Sequence, residues 1–214
     1  MDVYLTEAEQ IEQIKQWWKK NGTMIVISIV VALLASFGWR YWEYRHERSL
    51  TKASVIYERL LNSLANNEND NMEIQADRLM DHYRHTPYAE VAALMLARQA
   101  VYNNDLATAE SNLKWVMKHG DNKALRQLAR IRAARVLLAE NKPSEALELL
   151  QKVDDPSYLS STQSVLGDIY LSLGKTDEAR KSYSQAITAT PGIEVMQPLL
   201  QMKLDNLSIY SATD

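Results

Sequence analysis

The chain has 214 residues and a net charge of −3, with 24 Lys and Arg against 27 Asp and Glu and no cysteine. The lack of cysteine excludes disulfides, thiolate metal sites and cysteine nucleophiles. Interspersed charge of both signs gives no broad basic face, so no nucleic-acid partner is expected. Only 6 Gly and 5 Pro, in a chain rich in Ala, Leu, Glu and Lys, favour an all-α fold.

Residues 1–22 read as a short amphipathic helix. Thr6 and Glu9 stand at the spacing of a capping box, and Ile11, Ile14 and Trp18 recur at helical spacing beside Lys15 and Lys19. Two readings fit this piece: a helix lying in an anionic headgroup layer, or a solvated cytosolic tail. Asn21-Gly22 is a turn signal that would end it.

Residues 24–39 (MIVISIVVALLASFGW) carry no charge. Trp17, Trp18, Lys19 and Lys20 precede them, and Arg40, Tyr41 and Trp42 follow. At a helical rise of ~1.5 Å per residue, residues 23–42 cover about 30 Å, one hydrocarbon core. Aromatic and cationic flanks suit a membrane–water interface. A core helix would show a polar face, yet only Ser28 and Ser36 are polar here. A cleavable signal peptide would start earlier and close on a small-x-small site. The expectation is one retained transmembrane helix over 23–42, in contact with the lipid bilayer. Ala35, Ser36 and Gly38 are small enough for another helix to approach. Orientation stays open on charge alone: Lys15, Lys19 and Lys20 flank one side and Arg40, Arg45, Arg48, Lys52 and Arg59 the other, but the positive-inside count weakens before a long domain.

Residues 43–65 continue as a helix with Leu50, Ala53, Ile56, Tyr57, Leu60, Leu61 and Leu64 in 3–4 spacing. A polar loop (66–71) and a second helix (72–85, stopped by Thr86-Pro87) follow, a possible degenerate helix pair. The clearest unit is 160–193. Leu166, Gly167, Tyr170, Ala179, Tyr183, Ala186 and Pro191 fill seven of the eight tetratricopeptide signature positions, Gln163 replacing the tryptophan. Small Gly167 and Ala179 let two antiparallel helices close on the two tyrosines, with Leu173-Gly174-Lys175 as the turn. Fainter copies align Ala146 and Ala109 on Ala179, with turns at 141–143 and 103–105; the alanine intervals of 37 and 33 residues bracket the ideal repeat. Residues 194–209 form a last amphipathic helix with Val195, Leu199, Met202 and Leu207 on one stripe, which would cap the array. The fold class is thus all-α: a single N-terminal transmembrane helix, then a tetratricopeptide-like α-solenoid over 43–209, with 210–214 as a tail.

Chemistry is sparse. GxSxG, HExxH, P-loop and GxGxxG motifs are absent, and no cofactor is expected. His82 and His85, three apart on one helix, could share a metal, but no third ligand accompanies them. Asp81 beside them could serve a hydrolase only with a nucleophile, which is missing. The chain therefore reads as a non-enzyme that works by recognition. The first helix of each pair should line a concave face with Val91, Leu94, Arg98 and Val101, then Leu128, Ile131, Arg135 and Leu138, then Ser161, Ser164, Asp168 and Leu171. An apolar channel with two stacked arginines suits an unfolded or amphipathic segment, or else the chain's own terminal helix.

The ends of the chain carry a resemblance. QIEQIKQWWKKNGT (10–23), GWRYW (38–42) and QMKLDNLSI (201–209) resemble the YfgM family, single-pass bacterial inner-membrane proteins described as ancillary subunits of the SecYEG translocon. The resemblance runs over essentially the whole length. It implies a cytoplasmic N-terminus and a periplasmic repeat domain. It further implies partnership with SecYEG and with PpiD, a membrane-anchored periplasmic chaperone, in passing translocated proteins onward. It implies no catalytic residues. Two alternatives stand beside it: a groove that itself holds nascent or unfolded polypeptide, and a tethered scaffold for another envelope complex.

Overall fold

The computed structural model describes residues 7–189 and 197–210. Thr6 of the expected capping box, Pro191 of the clearest repeat, and Glu194 and Val195 of the last helix lie outside them. The chain divides into two compact units, Met1–Ser49 and Leu50–Asp214.

The first unit is helical throughout its described residues, as the first part of α1 (Glu7–Ala65). The turn expected at Asn21-Gly22 does not form. Gly22 is not among the residues with positive φ, and the Trp18 indole one turn earlier lies over it. A Cβ at Gly22 would stand 3.1 Å from Trp18 Cε2, so the missing side chain makes room for the ring inside an unbroken helix. Val26, Ile27, Ile29, Val30, Val31, Leu33, Leu34, Phe37 and Trp39 are all exposed, an apolar surface on every side of the helix. Ser28 donates its hydroxyl to the Met24 carbonyl at 2.8 Å, so this polar group is satisfied within the helix, as a hydrocarbon medium demands. Arg45 and Arg48 lie over the rings of Tyr41 and Tyr44, one turn back, at 5.3 and 4.4 Å. The segment is long and apolar enough to cross a membrane.

In the second unit, the end of α1 is followed by α2 (Asn69–His82), α3 (Pro87–Tyr102), α4 (Leu106–His119), α5 (Lys123–Ala139), α6 (Pro143–Leu150), a 3-10 turn at Pro156–Tyr158, α7 (Leu159–Ser172), α8 (Thr176–Thr188) and α9 (Gln197–Tyr210). No strand occurs among the described residues. Proline opens α3 and α6, where the missing N–H has no helical partner to lose. Asp105 and Asn122 cap α4 and α5 by accepting free first-turn N–H groups.

One turn recurs four times. Asn67, Asn104, Asn141 and Gly174 each sit in the left-handed region, at φ 58, 59, 60 and 71. At each, the residue itself donates to a carbonyl three residues back, and the next residue donates five back: Glu68 to Ser63, Asp105 to Ala100, Lys142 to Leu137 and Lys175 to Tyr170, all at 2.8 Å. This is the Schellman geometry, which Gly and Asn tolerate because the left-handed conformation costs them least. Its presence at Asn67 makes the end of α1 and α2 a helix pair like the later three. The loop there is shorter than the sequence suggests, because α2 begins at Asn69.

A second repeat is polar. Glu90, Gln127 and Ser160, each equally far ahead of its left-handed turn, tie down the exit of their own helix pair. Glu90 accepts from the backbone N–H of Asp121 and Asn122 at 2.8 and 3.3 Å. Gln127 accepts from Asp154 N at 2.8 Å while its amide donates to Thr162, and Ser160 donates to the Ala186 carbonyl at 2.9 Å. Gln127 is fully buried, as is most of Arg130, which pairs with Asp154.

The apolar core is four clusters in sequence along the helices, the first three linked through Met80, Trp115 and Leu149. Leu60, Met72, Leu79 and Leu96 join α1, α2 and α3; Ala97, Leu113, Val116 and Ala133 join α3, α4 and α5. Ile131, Leu137, Leu150 and Ile169 join α5, α6 and α7, and Tyr183, Ala186, Leu200 and Leu207 close the array on α9. Contacts between successive helices are what a solenoid requires. The buried stripe of α9 is Leu200, Leu204 and Leu207, whereas the expected Leu199 and Met202 are exposed. The i, i+4, i+7 set wins because it meets Tyr183 and Ala186 on α8.

Candidate functional site

The residues expected to form one lining separate into three groups. Leu94 and Ile131 are core residues, 6 and 1 % exposed. Val91, Leu128 and Leu138 are half-buried; Leu128 packs on the α3–α5 core and Leu138 on the α5–α7 core. Arg98, Val101 and Arg135 are exposed and come together, joined by Arg132. They border a hollow of about 310 Å³ between α3 and α5, floored by Leu106 and Leu113 of α4 and by Ala97, Val136 and Ala139. Arg132 carries a legible signal: it stands three residues before Arg135 on one helix, and so on the same face.

Arg98 also borders a second hollow of about 420 Å³, lined by Leu64 of α1, Met72 of α2, and Met95, Gln99 and Tyr102 of α3. Arg98 is thus common to the linings of the two hollows. Neither is bordered by an Asp or a Glu.

Asp168 is engaged elsewhere. It accepts from Tyr183 Oη at 2.6 Å and from Lys203 Nζ at 2.6 and 2.7 Å, clasping α7, α8 and α9. Burial, then the hydrogen bond to Asp168 and its charge, push the Tyr183 phenol well above its ordinary value, so the hydroxyl stays a donor.

The histidine pair does not share a helix. His82 closes α2, and His85 lies in the following turn, its Nδ1 3.9 Å from an Asp121 carboxylate oxygen on the exposed surface. Thr86 Oγ1 donates to the Tyr83 carbonyl, fixing that turn ahead of Pro87. Among the described residues no group of three or more His, Asp or Glu could hold a metal.

Similarity to known proteins runs over nearly the whole chain. A family model for a tetratricopeptide repeat-like domain matches residues 15–209. The chain is 32% identical over 203 residues to the ancillary SecYEG translocon subunit of Aggregatibacter actinomycetemcomitans, covering 95% of this chain and 98% of that protein. The chain belongs to this family. The proteins of the same name from Haemophilus influenzae and Escherichia coli are 29% and 26% identical, covering 95% and 98% of this chain and 98% and 100% of their own.

Proposed function

We propose that the chain is a non-enzymatic, single-pass protein of the bacterial inner membrane that associates with the SecYEG translocon. Its N-terminus faces the cytoplasm and its repeat unit the periplasm, where it holds a PpiD-like chaperone close to polypeptides as they emerge. The observation that carries this reading is coverage: similarity to translocon subunits extends through the apolar helix and the helix pairs alike, over 95% and 98% of this chain and 98% and 100% of the relatives that are 32% and 26% identical. Family-level likeness supports the orientation, because the charges flanking the helix do not settle it.

The test is affinity purification of the full-length chain from detergent-solubilised membranes, with its companions identified by mass spectrometry. SecYEG subunits and a periplasmic chaperone are expected. Recovery of neither defeats the assignment. Protease added to intact spheroplasts should degrade residues beyond 43; protection of that region would reverse the proposed orientation.

A second reading draws on the hollow beside Arg98, Val101 and Arg135, whose apolar floor suits transient contact with unfolded segments. Site-specific photocrosslinking from Val101 to nascent chains is expected under that reading, and its absence would leave the scaffold role alone.

A further inference from the structure

The two hollows form one groove with an unbalanced charge. Arg98 belongs to both linings: Met95 and Tyr102 stand with it in one, and Val101, Arg132 and Arg135 in the other. Among the described residues, none of these three guanidinium groups has an ion pair or a side-chain hydrogen bond, whereas Arg126 and Arg130, on the same α5, both close on Asp154. The contrast is local, because the chain as a whole is net acidic at −3. Two of the three arginines are one turn apart on α5 and the third faces them from α3, so each raises the electrostatic cost of the others. An occupant bearing carboxylates removes that cost and matches the planar fork of each guanidinium.

The floor sets the rest of the ligand. Leu106, Leu113 and Val136 are aliphatic, and each of the two hollows, about 310 and 420 Å³, is at the small end of ligand pockets, sized for a few side-chain groups. An acyl chain needs a long enclosed slot, which a shallow floor of this kind does not offer. Single-stranded nucleic acid needs a series of stacking aromatics, and among the described residues the groove has only Tyr102.

We propose that this groove docks a short internal segment of a partner protein in which Asp or Glu residues flank one or two large apolar side chains. The carboxylates sit on Arg98, Arg132 and Arg135, and the apolar groups rest on the α4–α5 floor. The proposal takes the repeat unit as an interaction module but does not depend on translocon association, so its test fails or succeeds separately from the co-purification.

The test is fluorescence anisotropy with purified full-length chain in neutral detergent. The probes are fluorescein-labelled eight-residue peptides, amidated at the C-terminus, with Glu and Leu or Phe placed at two-, three- and four-residue spacings. At least one spacing should bind, and weaken tenfold or more when Glu is replaced by Gln, when Leu and Phe are replaced by Ser, or in an Arg98→Gln/Arg132→Gln/Arg135→Gln variant whose circular dichroism and melting are unchanged. Raising salt should weaken binding, since these pairs are exposed. The proposal is overturned if no spacing binds, if the Gln peptides bind equally, or if the triple variant binds like the parent. Binding that requires a free C-terminal carboxylate on a neutral peptide also overturns it, by pointing to chain-end capture. Val101→Glu, which puts a carboxylate of the chain's own into the groove, should block binding without touching any arginine; unaltered binding would move the site elsewhere.

Discussion

Gly167→Ala adds one methyl group at the tightest point between α7 and α8. A Cβ at residue 167 would stand 2.3 Å from Tyr183 Cε1, 2.5 Å from Cδ1 and 2.8 Å from Cζ. The ring is 1% exposed, packed with Ala179, Ala186 and Leu200, and pinned by its hydrogen bond to Asp168. It has no free direction in which to retreat. Overpacking costs about 1–3 kcal/mol, and displacing the hydroxyl from a charged acceptor about 1.5–3 more. The gain in helix propensity returns about 1 kcal/mol. A net loss of about 1.5–5 kcal/mol is expected, concentrated in α7, α8 and α9 because a solenoid transmits little strain beyond its neighbouring repeats. Urea unfolding followed by circular dichroism gives the total, and hydrogen exchange of α8 amides against those of α3 locates it. In a Gly167→Ala/Tyr183→Leu variant the clash is gone, so its loss should be smaller than the sum of the two single losses by more than 1 kcal/mol. A Gly167→Ala protein as stable as the parent, or additive losses, would refute the close-packing account.

Asp154→Ala should cost about 3–5 kcal/mol by leaving the Arg130 guanidinium, 7% exposed, without its partner. Burial raises the Asp154 pKa, but the hydrogen bond and charge of Arg130, with Arg126 and Lys152, outweigh it and hold the carboxyl below its ordinary value of 3.8. The folded value lies below the unfolded one, so this stabilisation is full above that ordinary value and is lost as pH falls below it. The acid limb of a stability-against-pH curve should accordingly be shallower in Asp154→Ala. Asp168→Ala should loosen α9 more than Lys203→Ala, because it also strands the Tyr183 hydroxyl, and limited proteolysis between α8 and α9 should rank the two in that order. Asn104→Ala should cost about 1 kcal/mol through its left-handed φ of 59, while Asn104→Gly stays within a few tenths, as read by the urea midpoint.

Whatever depends on local spacing was legible in the sequence. Gly167, Ala179 and Tyr183 announce a close helix pair because small and large residues must alternate at fixed offsets across the interface. The turns at 103–105, 141–143 and 173–175 were equally plain, standing between two periodic runs, whereas the left-handed backbone at Asn104, Asn141 and Gly174 is a structural finding. The apolar run 24–39 needed only its length and flanks. What escaped depends on partners far along the chain. Gln127 and Arg130 look like surface positions until Asp154 arrives from a loop to meet them. Leu94 and Ile131 belong to the groove-lining helices, yet the rotation of each helix turns them into the core and brings Arg132 out instead. Leu200 and Leu204 were passed over for Leu199 and Met202 because an isolated helix offers two apolar stripes, and only contact with α8 chooses between them. Asn21-Gly22 misled because Trp18 covers the glycine within the helix.

The polar ties at Glu90, Gln127 and Ser160 occupy one structural place with three different chemistries: a carboxylate, an amide and a hydroxyl. Glu90 and Gln127 grip the exit loops of their pairs and Ser160 the last turn of α8, so the helix pairs are not interchangeable parts. Excising the pair α5–α6 would join α4 directly to α7 and put Ser160, a donor to a carbonyl, in the place that Gln127 held. A shortened or shuffled array would keep its apolar clusters and lose its polar register. The order of the units is written in these three side chains, and the chain cannot be lengthened or trimmed by whole units as arrays of identical repeats can.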